Sequence, residues 1–248
     1  MMSKLKKSNN ILQKIRSKKG QIAVLIDPYK FSMKKNLLEL LKKIHFANVD
    51  YIFVGGSTVS RLTFVEVIEI IKKNSSIPVV IFPGASHQIS EEADALLYLS
   101  LLSGRNPDYL IGQHVLSAHE VFEMNIEVIP TGYLLIDGGT KSSVAYVSQT
   151  TPIPHDKETI IINTAKAGIL QGKKLLFLDA GSGAKQHVPA KIINKLATLN
   201  TPIIVGGGIK SIEAIAELAQ ANVIVIGNKI EEEVDFLLDI QLYLKSID

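Results

Sequence analysis

Cysteine is absent from all 248 residues, which excludes disulfides and thiolate metal sites and suits a reducing compartment. No apolar run approaches the ~20 residues a membrane helix needs, so no span is expected. Lys4, Lys6 and Lys7 are followed by no apolar run of signal-peptide length. Aromatic residues make up 6% of the chain, no platform of aromatics and arginines is apparent, and the net charge is only +3. These exclude the concentrated basic footprint of a nucleic-acid binder, while a mild positive excess suits a small anionic substrate. The expectation is a cytoplasmic protein with at most peripheral membrane contact. A lipid substrate would need an apolar groove, not a span.

What is present is ordinary globular composition, 46% hydrophobic and 21% charged. Its centre of organisation is Leu175-Leu-Phe-Leu-Asp-Ala-Gly-Ser-Gly-Ala184. The apolar run is too short for a helix and enters a loop of small residues, so it predicts a buried strand and a tight turn. Gly181 and Gly183 allow the backbone to curl around a ligand, and successive N–H groups in such a loop cradle an anion, most often phosphate. The pattern recurs at Ile203-Ile-Val-Gly-Gly-Gly-Ile209 and Val223-Ile-Val-Ile-Gly-Asn228.

Upstream, strands are predicted at 22–26, 51–54, 78–82, 95–100 and 127–136. Helices are predicted at 37–46, 65–73, 115–123 and 159–170, and near 190–198, 212–220 and 231–244. A basic lead-in helix over residues 1–20 carries Ile11, Leu12 and Ile15 at helical spacing and would close the bottom of a barrel. Residues 85–92 are too short and polar for a full helix, and 137–154 suggest a hairpin-like excursion. About eight strands alternating with helices, without a linker, favour one closed (β/α)8 barrel over residues 1–248. In such barrels chemistry sits at the C-terminal strand ends, with phosphate commonly at the last two loops, here Gly207, Gly208, Gly227 and Asn228.

The remaining rim residues leave alternatives open. Asp27, before Pro28, is either a turn residue or a ligand for a hard cation, which takes few carboxylates plus substrate phosphates. Ser57 either caps the next helix or joins that metal site. Asp179 is either a turn aspartate bonding its own loop or a catalytic carboxylate beside the cradle. His87, His114, His119 and His187 lack ligand spacing and read as surface or structural. Lys141 and Lys185 read as solvated. Phe82, Tyr98, Leu101, Leu102 and Tyr133 place apolar groups on the rim away from the phosphate loops, and a missing third helix would open a side cleft above them.

In sequence order, Leu25-Ile-Asp-Pro28, Phe53-Val-Gly-Gly-Ser57, Phe82-Pro-Gly84, Gly104-Arg-Asn-Pro-Asp-Tyr-Leu-Ile-Gly112, Pro130-Thr-Gly-Tyr133, Asp179-Ala-Gly-Ser-Gly-Ala184, Val205-Gly-Gly-Gly-Ile209 and Gly227-Asn228 resemble the geranylgeranylglyceryl phosphate synthases. Heptaprenylglyceryl phosphate synthases share most of these motifs. The resemblance implies a modified TIM barrel whose third helix is a loop, and Mg2+-dependent transfer of a prenyl group from its diphosphate to sn-glycerol 1-phosphate. It assigns the metal to Asp27 and Ser57. The glycerol phosphate falls to Phe177, Leu178, Asp179, Ala180, Gly181, Ser182, Gly183, Gly207, Gly208, Gly227 and Asn228, with Asp179 as the catalytic group. The chain departs from the family pattern at Asp179, where Glu is usual, and at Phe177, where Tyr is usual. Residues 136–141 and 152–154 look like the larger, frequently oligomeric branch, implying a homo-oligomer, dimer or hexamer. The rival expectations are a sugar-phosphate isomerase, a flavin-binding oxidoreductase, or a non-catalytic barrel binding a phosphometabolite or lipid.

Overall fold

The short apolar runs become eight parallel strands: β1 Gln21–Ile26, β2 Tyr51–Val54, β3 Val79–Ile81, β4 Ala95–Leu101, β5 Glu127–Leu135, β6 Leu175–Asp179, β7 Ile203–Gly206 and β8 Val223–Ile226. A computed structural model, which describes residues 10–31 and 34–247, closes them in sequence order into a barrel, β8 pairing back onto β1. The helices are α1 Ile11–Ser17, α2 Lys34–Ala47, α3 Arg61–Asn74, α4 Gln113–Glu123, α5 Ser143–Val147, α6 Glu158–Leu170, α7 Ala190–Leu196, α8 Ile212–Glu217, α9 Asn228–Glu232 and α10 Phe236–Ile247. This is the expected (β/α)8 architecture.

Each strand is apolar on both faces because each face has its own core. Residues such as Ile22, Val24, Ile52, Leu176, Leu178 and Val205 pack outward against the helices. Ala23, Tyr51, Phe53, Leu97, Ile129, Leu175, Phe177 and Val225 fill the interior. The period of two then decides what stands on the rim. Asp27 follows Ala23 and Leu25, and Asp179 follows Leu175 and Phe177, so both carboxylates inherit the inward parity. Register pairs Tyr133 with Phe177 and Leu135 with Asp179, setting β5 and β6 side by side at that rim.

The opposite end is shut by α1. Ile11 and Ile15 are buried against the barrel interior. Glu127 accepts the free N–H groups of Ile11 (2.6 Å) and Leu12 (3.1 Å), which satisfies the helix start without a conventional cap. At its other end, buried Gln21 donates to the carbonyls of Ile15 (3.0 Å) and Lys18 (2.9 Å) and receives the Tyr51 hydroxyl (2.8 Å). Of the lead-in helix expected over 1–20, Ile11–Ser17 is helical, and residues 1–9 lie outside the described residues.

Two local expectations are revised. Residues 137–154 form no hairpin: Ile136 and Ile153 make a parallel bridge, and Ser142 caps the short α5 within the excursion. The helix expected over 231–244 is two helices, α9 and α10, because the chain breaks between Glu232 and Phe236. A π-helical turn, Asp108–Gly112, precedes α4. No helix lies between β3 and β4, as expected. Gln88, fully buried, holds that loop instead, accepting from the Gly84 N–H and donating to the Gly56 carbonyl, each at 2.8 Å.

Candidate active site

The strand ends surround a cavity of about 410 Å3. Its phosphate side is made of backbone. Gly181, Gly183, Gly207 and Gly208 all have φ between +70° and +90°, the left-handed region that glycine enters without penalty. Space demands glycine as well at Gly207: a Cβ there would lie 2.6 Å from Asp179 Oδ1 and 2.7 Å from the Gly181 nitrogen. The β6 and β7 loops therefore interlock. Gly183 differs, because a Cβ there would meet nothing within 4 Å. Asn228 Oδ1 accepts the Gly183 N–H and the Ser182 hydroxyl, each at 3.0 Å, tying the third loop to the first. Any anion entering this loop would compete with that amide oxygen for the same two donors. The predicted cradle residues Gly181, Ser182, Gly183, Gly207, Gly208, Gly227 and Asn228 are thus brought together, while Leu178 and Ala180 point into the outer core.

Asp179 stands at the centre. Its Oδ1 accepts the Gly181 N–H at 2.7 Å, which is the turn role anticipated for it. Its Oδ2 accepts the Tyr133 hydroxyl at 2.6 Å, a partner 46 residues away that the sequence did not announce. Burial raises the Asp179 pKa, and these two hydrogen bonds, which favour the carboxylate, only partly offset the shift. The Tyr133 phenol is pushed well above its ordinary range by burial and by the Asp179 charge. Phe82 stacks on Phe177 at 4.7 Å, and Tyr133 meets Phe177 edge-on at 5.6 Å and Phe82 at 5.8 Å. Phe82 and Tyr133 therefore adjoin the phosphate loops rather than standing away from them. Phe177 serves as aromatic floor.

Across the cavity, Asp27 and Ser57 both line the wall. Asp27 Oδ1 accepts the Tyr29 N–H at 3.0 Å, so it closes a turn and also faces the cavity. The cap of α3 is Ser60, not Ser57. A Cβ on Gly56 would lie 2.5 Å from Asp27 Oδ1, so the carboxylate rests against bare backbone. Among the described residues no group of three or more acidic or histidine side chains could hold a metal alone. One carboxylate and one hydroxyl form a hard oxygen donor pair that fits Mg2+ carried largely by phosphate oxygens and water. Lys30, Lys210 and Lys229 also line the cavity, whereas Lys141 and Lys185 do not. Lys30 is already paired with Glu231, and Lys229 with Glu233.

The remaining wall is an apolar trench where the third helix is missing. Ile89, Leu96, Tyr98, Tyr109, His114 and Ser117 line it, between the β3–β4 loop and α4. Ser86 N–H donates to Gln113 at 2.8 Å, and the His87 ring pairs with the Val59 carbonyl at 2.9 Å, so both banks are fixed. One expectation changes here. Leu102 faces the outside of the barrel and lines no part of this cavity. Of the two readings left open for His114, surface or structural, burial in the trench wall favours the structural one.

A closed barrel with a glycine-built anion cradle and an apolar trench defines a phosphate-site (β/α)8 protein that can take a long apolar group. The profile of the PcrB family matches residues 13–243. The geranylgeranylglyceryl phosphate synthase of Chitinophaga pinensis is 50% identical over 87% of this chain and 86% of its own, and that of Spirosoma linguale 46% identical over 87% of each. The crystal structure of (S)-3-O-geranylgeranylglyceryl phosphate synthase from Thermoplasma acidophilum, in complex with sn-glycerol-1-phosphate, covers 100% of this chain and 99% of that one. It superposes with a TM-score of 0.87 at 34% identity. The chain belongs to the PcrB family, whose relatives here are geranylgeranylglyceryl phosphate synthases. Membership displaces the sugar-phosphate isomerase and flavin readings.

Proposed function

We propose that this protein transfers a prenyl group from its diphosphate to the 3-hydroxyl of sn-glycerol 1-phosphate, releasing diphosphate. Geranylgeranyl diphosphate is the favoured donor over heptaprenyl and other lengths. The observation that carries this reading is the meeting of the glycine cradle and the apolar trench at one carboxylate, Asp179. Support comes from the relatives' shared activity name and from the sn-glycerol-1-phosphate bound to the Thermoplasma acidophilum enzyme.

In this reading the glycine loops fix the acceptor phosphate, so that its hydroxyl reaches the allylic carbon of a donor lying in the trench. Asp179 keeps partial exposure toward the cavity and accepts the hydroxyl proton as the new C–O bond forms. The old C–O bond breaks with its electron pair leaving on diphosphate. Tyr133 and the Gly181 N–H hold the carboxylate in place for that transfer. Asp27 and Ser57 would hold Mg2+ together with diphosphate oxygens. Bound there, the ion supplies neutralisation of the charge on the leaving group.

The test is product formation from labelled sn-glycerol 1-phosphate with prenyl diphosphates of increasing length, with and without EDTA, and with sn-glycerol 3-phosphate as control. A prenyl ether formed only from the 1-phosphate, and lost on chelation, is expected. No ether with any donor would sink the reading and leave a non-catalytic binding barrel.

We also infer a homo-oligomer, dimer or hexamer. Val115 and Leu116 of α4 are 68% and 74% exposed, apolar side chains that a second copy would cover. Light scattering giving the 27.1 kDa monomer mass would refute this. A cytoplasmic enzyme touching membranes peripherally, if at all, completes the reading. Among the described residues no helix is long and apolar enough to cross a bilayer.

A further inference from the structure

The three lysines that line the cavity are held differently. Lys210 comes two residues after Gly208, in the loop of the acceptor cradle. Lys229 pairs with Glu233, and its ammonium lies 5.5 Å from the Phe236 ring centroid, so it is drawn toward α10. Lys30 belongs to the opposite side. Its N–H donates to the Asp27 carbonyl at 3.0 Å, which sets it on the same tight turn as the Asp27 carboxylate.

From that turn the Lys30 side chain, 44% exposed, reaches across to Glu231, which is 15% exposed. The carboxylate oxygen that takes the ammonium, Oε2, also accepts Asn228 Nδ2 at 3.2 Å. Asn228 and Glu231 are three residues apart on α9, the spacing that brings two side chains to one face. A carboxylate oxygen only accepts, so the Asn228 amide must turn its Nδ2 to Glu231 and leave Oδ1 for the acceptor loop. A continuous chain therefore runs from the Asp27 turn through Lys30, Glu231 and Asn228 to Ser182 and Gly183. Its two ends are not equally firm. The Asn228 amide is satisfied on both sides, whereas an ion pair with a half-exposed lysine contributes little, because water competes for both charges. The ammonium carries three donors on a flexible four-carbon stem and can exchange one partner for another. A diphosphate arriving beside Asp27 presents several negative oxygens where Glu231 offers one carboxylate.

We propose that Lys30 is a donor-binding residue, which exchanges Glu231 for the diphosphate of the prenyl donor. Glu231 is the positioning residue that holds the ammonium at the cavity mouth until the donor arrives. The inference rests on the proposed activity, which puts the diphosphate on the Asp27 side. Glu231 thus competes with the donor for Lys30, while its bond to Asn228 stays in place and leaves the acceptor loop undisturbed.

The experiment uses the full-length chain and titrates inorganic pyrophosphate, with Mg2+ present, by calorimetry. sn-Glycerol 1-phosphate is titrated separately, so failure of the activity reading shows as an acceptor that does not bind, and failure of this one as the pyrophosphate response. Lys30→Met should weaken pyrophosphate roughly tenfold or more, the scale of a lost charge-assisted hydrogen bond, with acceptor affinity within about twofold. Lys30→Arg should restore most of the loss. Glu231→Gln keeps an oxygen for Asn228 Nδ2 and removes the competing charge, so it should tighten pyrophosphate several-fold. In the Lys30→Met background the same change should gain clearly less, which a loop staple without a ligand role would not produce. No pyrophosphate binding to the wild type, unchanged affinity in Lys30→Met, or an equal gain from Glu231→Gln in both backgrounds overturns the proposal.

Discussion

The two ends of the cavity are built from different materials. The phosphate end is backbone: four glycines at positive φ, in two interlocked loops tied to a third by one asparagine. The trench end is side chains: Tyr98, Tyr109, His114 and Ser117 along a gap where a helix is missing, with the aromatic cluster of Phe82, Tyr133 and Phe177 standing between the two ends. A phosphate makes the same demands of every protein, so a backbone cradle can be written in a few obligatory glycines. An isoprenoid chain asks only for apolar volume, which many sequences supply and only packing measures. Asp179 belongs to both ends, bonded to Gly181 on one side and to Tyr133 on the other.

The largest expected effect breaks the junction itself. Asp179→Asn should lower kcat by about 10²–10⁴-fold, the range of a lost general base, while acceptor KM moves only a few-fold. Full activity in this variant would remove Asp179 from the chemistry. The same variant tests linkage. The folded-state pKa of Asp179 is raised, so its contribution favours folding below the ordinary carboxylate range and is lost as pH rises through the folded value. Asp179→Asn should therefore melt higher than wild type at neutral pH, with the difference vanishing in acid. An equal Tm at pH 7 would show that the carboxylate is not held against its solvation.

The next comparison is within the cradle. Gly207→Ala places a methyl against Asp179 Oδ1 and the Gly181 backbone, in addition to left-handed strain. It should cost about 1–3 kcal/mol in acceptor binding or stability, roughly tenfold or more in kcat/KM. Gly183→Ala adds its methyl to open space and bears only the strain, about 1–2 kcal/mol. If both variants lose acceptor affinity equally, the interlock is not what shapes the cradle.

The trench is tested by filling it. Ser117→Phe should turn donor preference toward shorter prenyl diphosphates, with acceptor KM within about twofold, since the two ends share no side chain there. Unchanged donor preference would place the isoprenoid elsewhere. The smallest expected effect is in pH dependence. If Asp179 is the proposed proton acceptor, the acid limb of kcat/KM should lie above ~3.9, the ordinary aspartate value, because that role needs the ionised carboxylate, whose pKa is raised. Tyr133→Phe removes a hydrogen bond that favours the carboxylate and should move that limb further up. A downward movement would contradict the hydrogen bond between them.

Legibility in the sequence followed the same division. The strands were visible because both faces of each strand are apolar, and inward parity carried Asp27 and Asp179 to the rim without any knowledge of their partners. The missing third helix was visible from the short polar run at 85–92, although not the buried Gln88 that holds the loop in its place. The excursion at 137–154 was misread as a hairpin because its glycine and serine content marks a turn. The parallel bridge between Ile136 and Ile153 that decides its path is a non-local contact. His114 could be read only as surface or structural, since nothing in its spacing tells that Tyr98, on a strand 16 residues earlier, packs against its ring.

By itself, then, the sequence determined the alternation of strand and helix, the barrel, and the glycine cradle, because period-two burial and positive φ are constraints each residue obeys locally. Only the tertiary structure decided that Tyr133 holds Asp179, that Phe177 is floor, that Leu102 lies outside the wall while His114 lies within it, and how wide the trench is. Those depend on which side chains from distant strands arrive at the same point, and on the volume left between them.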